Sequence, residues 1–312
     1  MKMMEKQHTI KGKYEFKGKG LHTGRMVTMI LEPAPVNHGI KFKRTDLGED
    51  AVIDAVVDYV TTTARGTTLE KGDVKISTLE HLMATFKGLE IDNVLVSIDA
   101  QEVPILDGSA LPYIEAICKD GLQEQDAPRK VYDIKKKIHY RNEQTGSEIT
   151  ILPDDHFSVD LMIDFNSKVL GNQYARYDAA TDFAKDIAPC RTFVFFHELE
   201  PLFKNNLIKG GDLDNAIVIV ENPVPQEELD RLATLFGVHT LERAPEGYLN
   251  HLQLRFPNEC SRHKVLDVFG DFSLVGVPFN GKVIAYKSGH GINTMIAKVV
   301  RDSLRSEIEG NE

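Results

Sequence analysis

The sequence predicts an α+β fold in two domains, and three observations carry that expectation. Both halves interleave segments that alternate apolar and polar residues with segments whose apolar residues recur every three or four positions. A polar stretch punctuated by Gly and Pro, GLQEQDAPRK, separates two more apolar regions and places a domain boundary near residue 126, giving domains 1–126 and 127–312. The 312 residues, 42% of them hydrophobic and 27% charged, suffice for one large globular domain or two average ones.

In the first half, VTMILEPAP and NVLVSID read as strands. STLEHLMATFKGL reads as a helix opened by Ser and Thr capping candidates and closing near Gly88. ALPYIEAICKDGL reads as a second helix, with Pro112 tolerable only in its first turn. In the second half, HFSVDLMIDF, NAIVIVE and KVIAYKSG read as strands. PQEELDRLATLFG, SRHKVLDVFGDF and INTMIAKVVRDSL read as helices. No repeat and no low-complexity region is visible in the sequence.

Several function classes are disfavoured at once. A net charge of −10 argues against a general nucleic-acid or membrane-surface binder, so an anionic ligand needs a local basic patch. No apolar run approaches the roughly 20 residues that span a bilayer, and the charged, alternating N-terminus lacks the apolar core of a signal peptide, so the cytoplasm is expected. Cys118, Cys190 and Cys260 are widely spaced with no C-x-x-C, which fits a reducing compartment and no thiolate metal site. Any metal must then be held by His, Asp or Glu.

The segment CSRHKVLDVFGDFSLVG carries His263, Asp267 and Asp271 four residues apart, opposite an apolar stripe of Val265, Phe269 and Phe272. Ligands at i and i+4 lie on adjacent turns of one helix face and can share one ion, although an ordinary wet face has the same spacing. In STLEHLMATFKG, Leu79, Leu82, Met83 and Phe86 form the core stripe and Glu80 and His81 turn away from it. A carboxylate beside a metal-binding histidine can take a proton from metal-bound water, but adjacent Glu-His pairs are common and this is not H-E-x-x-H. His290, in KSGH after a strand, is flanked by Gly where a backbone can approach a ligand, and equally fits a turn histidine. GKGLHTG lacks the G-K-[ST] ending of a phosphate-binding loop and reads as a turn. Thr192 in APCRTFVFF offers a hydroxyl, as would any buried strand threonine.

Taken in order, these pieces resemble the zinc-dependent UDP-3-O-acyl-N-acetylglucosamine deacetylases of lipid A biosynthesis. The resemblance runs through GKGLHTG, STLEHL, PILDGSA, RTF, GGDLDNA, LRFPNECSRHKVLDVFGD and AYKSGH, in register over nearly the whole chain. It implies two domains of similar layered topology with the active site between them. It implies zinc held by His81, His263 and Asp267, Glu80 as general base, His290 as the charged or acidic group, Asp271 supporting His290, and Thr192 stabilising an oxyanion. It also implies substrate contacts from Lys264 toward a diphosphate, from Asp164 and Phe165 toward the nucleotide, and from Phe193. The substrate would be an acylated UDP-sugar, with an acyl passage built around PLFKNNLIKGGDLDNAIVI. Between Asn215 and Leu252 the chain is longer than the family usually is, which puts the local loop geometry in question. Some relatives are fused at the C-terminus to a hydroxyacyl-carrier-protein dehydratase, and the charged tail RSEIEGNE leaves room for that here. A zinc amidohydrolase for another small amide, and a module with a structural zinc, are the competing readings; the latter needs a fourth ligand that does not stand out.

Overall fold

A computed structural model describes residues 5–199, 210, 212–236 and 239–309. Two main sheets repeat one plan. The first places its strands in the order Tyr14–Lys19, Met26–Pro33, Val94–Ile98, Ile40–Arg44, Val52–Asp54. The second runs Ile138–Arg141, Glu148–Leu152, Phe279–Tyr286, Phe157–Asp164, Asn172–Tyr177, with the short Tyr132–Asp133 strand beside Phe279–Tyr286. In each sheet the last strand in sequence inserts at the centre, where it is antiparallel to one neighbour and parallel to the other. The shared order and directions make this a structural repeat, although the sequence displays none.

A parallel neighbour requires a crossover connection, and each half supplies one that includes a helix before its central strand. These helices are Glu80–Gly88 and Glu259–Ser273. The strands bury alternate residues toward them: Val27, Met29 and Leu31 in one sheet, Val159, Leu161 and Ile163 in the other. Both halves share one continuous core. Helices Leu111–Asp120 and His290–Glu309 follow the two central strands. Between the fourth strand and the crossover helix the first half inserts a small sheet, Val60–Thr62, Thr68–Lys71 and Val74–Ser77. The second half inserts the parallel pair Phe193–Phe195 and Ile217–Ile219 and the helix Gln226–Phe236. That helix packs Leu229, Leu232 and Ala233 into a satellite core with Val218, Val220, Leu241 and Leu249, so the longer segment has apolar support of its own. No helix among the described residues is long and apolar enough to cross a membrane.

Two local expectations change. Ser77 and Thr78 do not cap the following helix, whose first turn has no side-chain cap. Ser77 instead ends a strand, and the Thr78 hydroxyl donates to Glu102 at 3.1 Å from a backbone with φ of 56°. The buried Glu102 carboxylate, 24 residues away, outcompetes the local cap. The stretch read as a polar connector is in part a strand, Leu122–Pro128, paired antiparallel with Lys6–Ile10. Its partner lies at the far end of the first half, so nothing in its own composition announces the pairing.

The two crossover helices meet at closest range where Gly270 faces Glu80. A Cβ on Gly270 would lie 2.1 Å from the Glu80 carbonyl oxygen and 2.8 Å from its carbonyl carbon, both backbone atoms that no rotamer change can move. Gly270→Ala must therefore push the helices apart. We expect it to lower stability by roughly 3 kcal/mol, the upper end of ordinary overpacking. Denaturant midpoints measure the effect, and a wild-type midpoint would mean that the helices separate without cost.

Candidate metal centre

The polar stripe of the Glu259–Ser273 helix is not a wet face. His263, Asp267 and Asp271 are as buried as Val265 and Phe269, so their polarity must be answered by partners inside the protein. From the opposite helix Glu80 and His81 enter the same space, also buried.

The side chains of His81, His263 and Asp267 converge with ligand atoms all within 4.8 Å of one another. Asp267 Oδ1 lies 3.4 Å from His263 Nε2 and 4.0 Å from His81 Nε2. The two imidazoles meet edge to face, centroids 4.9 Å apart. Asp267 Oδ1 is a buried oxygen with no hydrogen-bond partner, which is costly unless something else satisfies it. His263 Nδ1 contacts the Cys190 carbonyl at 2.9 Å; since a carbonyl only accepts, Nδ1 donates and Nε2 keeps its lone pair. Burial, then His263, pushes the His81 pKa down to about 3, and burial lowers that of His263. Both rings are neutral, the form in which imidazole binds a metal. Burial opposes charge on Asp267, yet the Lys264 ammonium against it holds its carboxyl below the usual range. Two neutral imidazoles and one carboxylate with an unsatisfied oxygen fit a divalent cation. The other described group of this kind, Asp154, Asp155 and His156, is a surface cluster in which His156 pairs with both carboxylates.

Around this trio stand the remaining candidates. His290, the first residue of its helix, places Nε2 3.9 Å from Glu80 Oε1 and 3.9 Å from Asp267 Oδ2. Its Nδ1 donates to Asp271 Oδ2 at 2.9 Å. Burial disfavours the charged ring, but Asp271, Asp267 and Glu80 outweigh it and raise the His290 pKa to about 10. Burial raises the pKa of Glu80, partly countered by His290; its Oε2 accepts from the Thr67 amide at 3.0 Å. Lys264 donates to Asp267 Oδ2 at 2.8 Å, and that carboxylate keeps its pKa raised against burial.

A cavity of about 400 Å³ opens onto the trio. Glu80, Thr192, Phe193, Lys264 and His290 line it, and Phe165 packs its ring against Phe193 and Phe195 at 5.5 and 5.7 Å. Leu199, Leu213 and Val218 give it an apolar wall continuous with the satellite core. Asp164 is not among its lining residues. Its carboxylate is engaged by the Asn166 amide, Tyr286 and Lys287 at 3.0, 2.7 and 3.1 Å. Of the expected acyl passage, residues 201–209 and 211 lie outside the described residues.

Two polar partners escaped the sequence reading. Thr67 donates to Asp271 Oδ1 at 2.6 Å and Asn293 donates to Oδ2 at 2.9 Å. Asn293 stands three residues after His290 on one helix face, a spacing that could have revealed it. Thr67, 204 positions from Asp271, had no such signal.

Comparison with known proteins gives the family. The family model described as LpxC, UDP-3-O-acyl N-acetylglycosamine deacetylase, matches residues 7–241 and 239–302. A bifunctional enzyme LpxC/FabZ of Bacteroides thetaiotaomicron is 48% identical over 302 residues, covering 97% of this chain and 66% of that protein. The chain thus spans just under two thirds of the length of such bifunctional relatives. The UDP-3-O-acyl-N-acetylglucosamine deacetylase of Teredinibacter turnerae is 40% identical over 309 residues, covering 97% of this chain and 92% of that protein. That of Methylococcus capsulatus is 42% identical over 293 residues, covering 93% and 88%. With both halves matched and nearly full-length relatives well above 30% identity, the chain belongs to the UDP-3-O-acyl N-acetylglycosamine deacetylase family.

Proposed function

We propose that this chain is a zinc-dependent hydrolase that removes the N-acetyl group from UDP-3-O-acyl-N-acetylglucosamine, releasing acetate, as a step of lipid A biosynthesis. The observation that carries the reading is Asp267 Oδ1, buried without a hydrogen-bond partner between two neutral imidazoles, with a carboxylate and an imidazolium beside it. When held by His81, His263 and Asp267, zinc supplies Lewis-acid charge and lowers the pKa of a water toward roughly 7.

The residues around that site then divide the work. Glu80, its carboxyl biased by burial toward holding a proton, accepts one from the attacking water as the new C–O bond forms. The Thr192 hydroxyl, on the cavity wall, donates to the oxygen that gains charge. His290, kept as imidazolium by Asp271, adds positive charge on the same side. The C–N bond then breaks, and the amine leaves with a proton from one of the two groups that hold one, Glu80 or His290. Phe165, Phe193 and Lys264 line the route of a nucleotide sugar, and Asp164 bears on it indirectly, through the backbone it shares with Phe165. The apolar wall at Leu199, Leu213 and Val218 suits an acyl chain. A UDP-linked substrate fits a cytoplasmic location, and the bifunctional relatives support a second activity joined to this one in the same polypeptide.

Acetate release from the acylated UDP-sugar tests the reading directly; no release by zinc-loaded protein overturns it. We expect about one tightly held zinc per chain, activity abolished by a chelator and restored by Zn²⁺. The fold should survive metal removal, because a core shared by both halves supports the ligands. Glu80→Gln should cost more than roughly a hundredfold in kcat with zinc content unchanged.

Asp271→Asn should lower turnover and retain zinc, whereas Asp267→Asn should lose both. Equal zinc loss would exchange their roles.

The pH profile of kcat/KM should be a bell, rising as Glu80 loses its proton and falling as His290 loses its own. A cation beside Asp267 favours the deprotonated form of both groups, so the alkaline limb should lie below the value of about 10 that the carboxylates alone give His290. Deleting the Asp271 charge destabilises the imidazolium, so Asp271→Asn should move that limb to still lower pH. A limb that stays in place would pass its assignment to Lys264 or to the activated water.

A further inference from the structure

A neutral imidazole presents one nitrogen to a metal reliably only when the other is tied through its proton. For His263 that tie is the Cys190 carbonyl, 2.9 Å from Nδ1. The same peptide unit contains the Arg191 N–H, which donates to Glu259 Oε1 at 3.0 Å. A trans peptide is planar, with its N–H and C=O pointing in opposite directions. Glu259 and His263 are four residues apart on one face of the Glu259–Ser273 helix. The Cys190–Arg191 peptide is therefore fastened along that face, one end to each residue.

Glu259 is saturated in this role. Its Oε1 also accepts from Arg191 Nε at 2.9 Å, and its Oε2 accepts from Arg191 Nη2 at 3.1 Å and the Arg255 amide at 2.6 Å. Arg191 Nη2 continues to the Gln253 carbonyl at 2.6 Å. Glu259 is 1% exposed and Arg191 4%. Burying an ion pair this deeply is a poor source of stability, since desolvation offsets most of the attraction. What it does secure is the orientation of everything it bonds.

We infer that Glu259, acting through Arg191 and the Cys190–Arg191 peptide, is a positioning residue that fixes the Nδ1–H form of His263 and so presents Nε2 to the metal. The inference rests on the metal-site reading above. It assigns the segments around Arg191 and Glu259 a task in metal binding that needs no contact with substrate.

The test compares wild type, Glu259→Gln and Ile53→Ala, a core truncation in the edge strand Val52–Asp54 that lowers stability away from the site. Zinc affinity is measured by chelator competition, and the His263 ring N–H proton is followed by NMR in metal-free protein. Glu259→Gln should weaken zinc binding about 10- to 100-fold, the usual effect of losing the support of a ligand. It should also speed exchange of the ring N–H, while Ile53→Ala changes neither. If Glu259→Gln does not fold, Arg191→Lys keeps the charge, removes the fork and should act in the same direction. Wild-type affinity with an intact ring N–H signal in a folded variant overturns the inference, as does an equal loss of affinity in Ile53→Ala. Failure of wild type to bind zinc would overturn the metal reading instead, and the N–H signal of the metal-free protein would still decide the positioning role.

Discussion

Everything at the site depends on how closely two helices approach each other. Gly270 lets the backbone of the Glu259–Ser273 helix sit against the Glu80 peptide, where a single methyl group would collide with main-chain atoms. Each helix alone carries an incomplete set: Glu80 and His81 on one, His263, Asp267 and Asp271 on the other. The ligand atoms of the trio come within 4.8 Å only because the two axes are this near. Gly270 lies between Asp267 and Asp271, so the point of closest approach is also the point where the chemistry is concentrated.

That closeness brings several ionisable groups into a space with little water. Three carboxylates, Glu80, Asp267 and Asp271, are all buried. Unpaired, each would be expensive. The protein answers them differently. Asp271 accepts from Thr67, His290 and Asn293, which satisfies both of its oxygens. Asp267 is half answered by Lys264 and leaves Oδ1 open. Glu80 accepts a backbone amide from Thr67 and is pushed toward protonation by burial. Asp271 is thus saturated, Asp267 is open on one side, and Glu80 is biased toward its protonated form. Their local partners, rather than their residue type, separate the roles.

The repeated sheet plan explains why the site lies where it does. In each half the crossover helix precedes the central strand, and packing the two halves face to face brings the equivalent helices together. The halves then diverge through their insertions. The first adds a small sheet whose neighbouring loop supplies Thr67. The second adds the arm bearing Thr192 and Phe193 and the satellite core behind the apolar wall of the cavity. A common scaffold carries the candidate metal ligands, and unlike insertions shape the surroundings.

The sequence by itself determined the elements whose apolar spacing is regular and the inventory of reactive groups. Helical spacing set His263, Asp267 and Asp271 on one stripe, and Glu80 and His81 apart from the Leu79–Phe86 core face, because such periodicity is local. Ordered motifs then made the family legible where no single spacing could. What the sequence could not contain were relations between distant segments. That the polar stripe is buried follows from the opposing helix, and the loss of the Ser77 and Thr78 caps follows from Glu102 and a sheet neighbour. The strand Leu122–Pro128 exists because Lys6–Ile10 reaches it. Thr67 finds Asp271 across 204 residues, and a peptide at Cys190 orients His263 across 73. Hydrogen bonds and burial of this kind are set by the packed core, whereas propensity and periodicity act within a few turns of chain; the first needed tertiary structure, and the second did not.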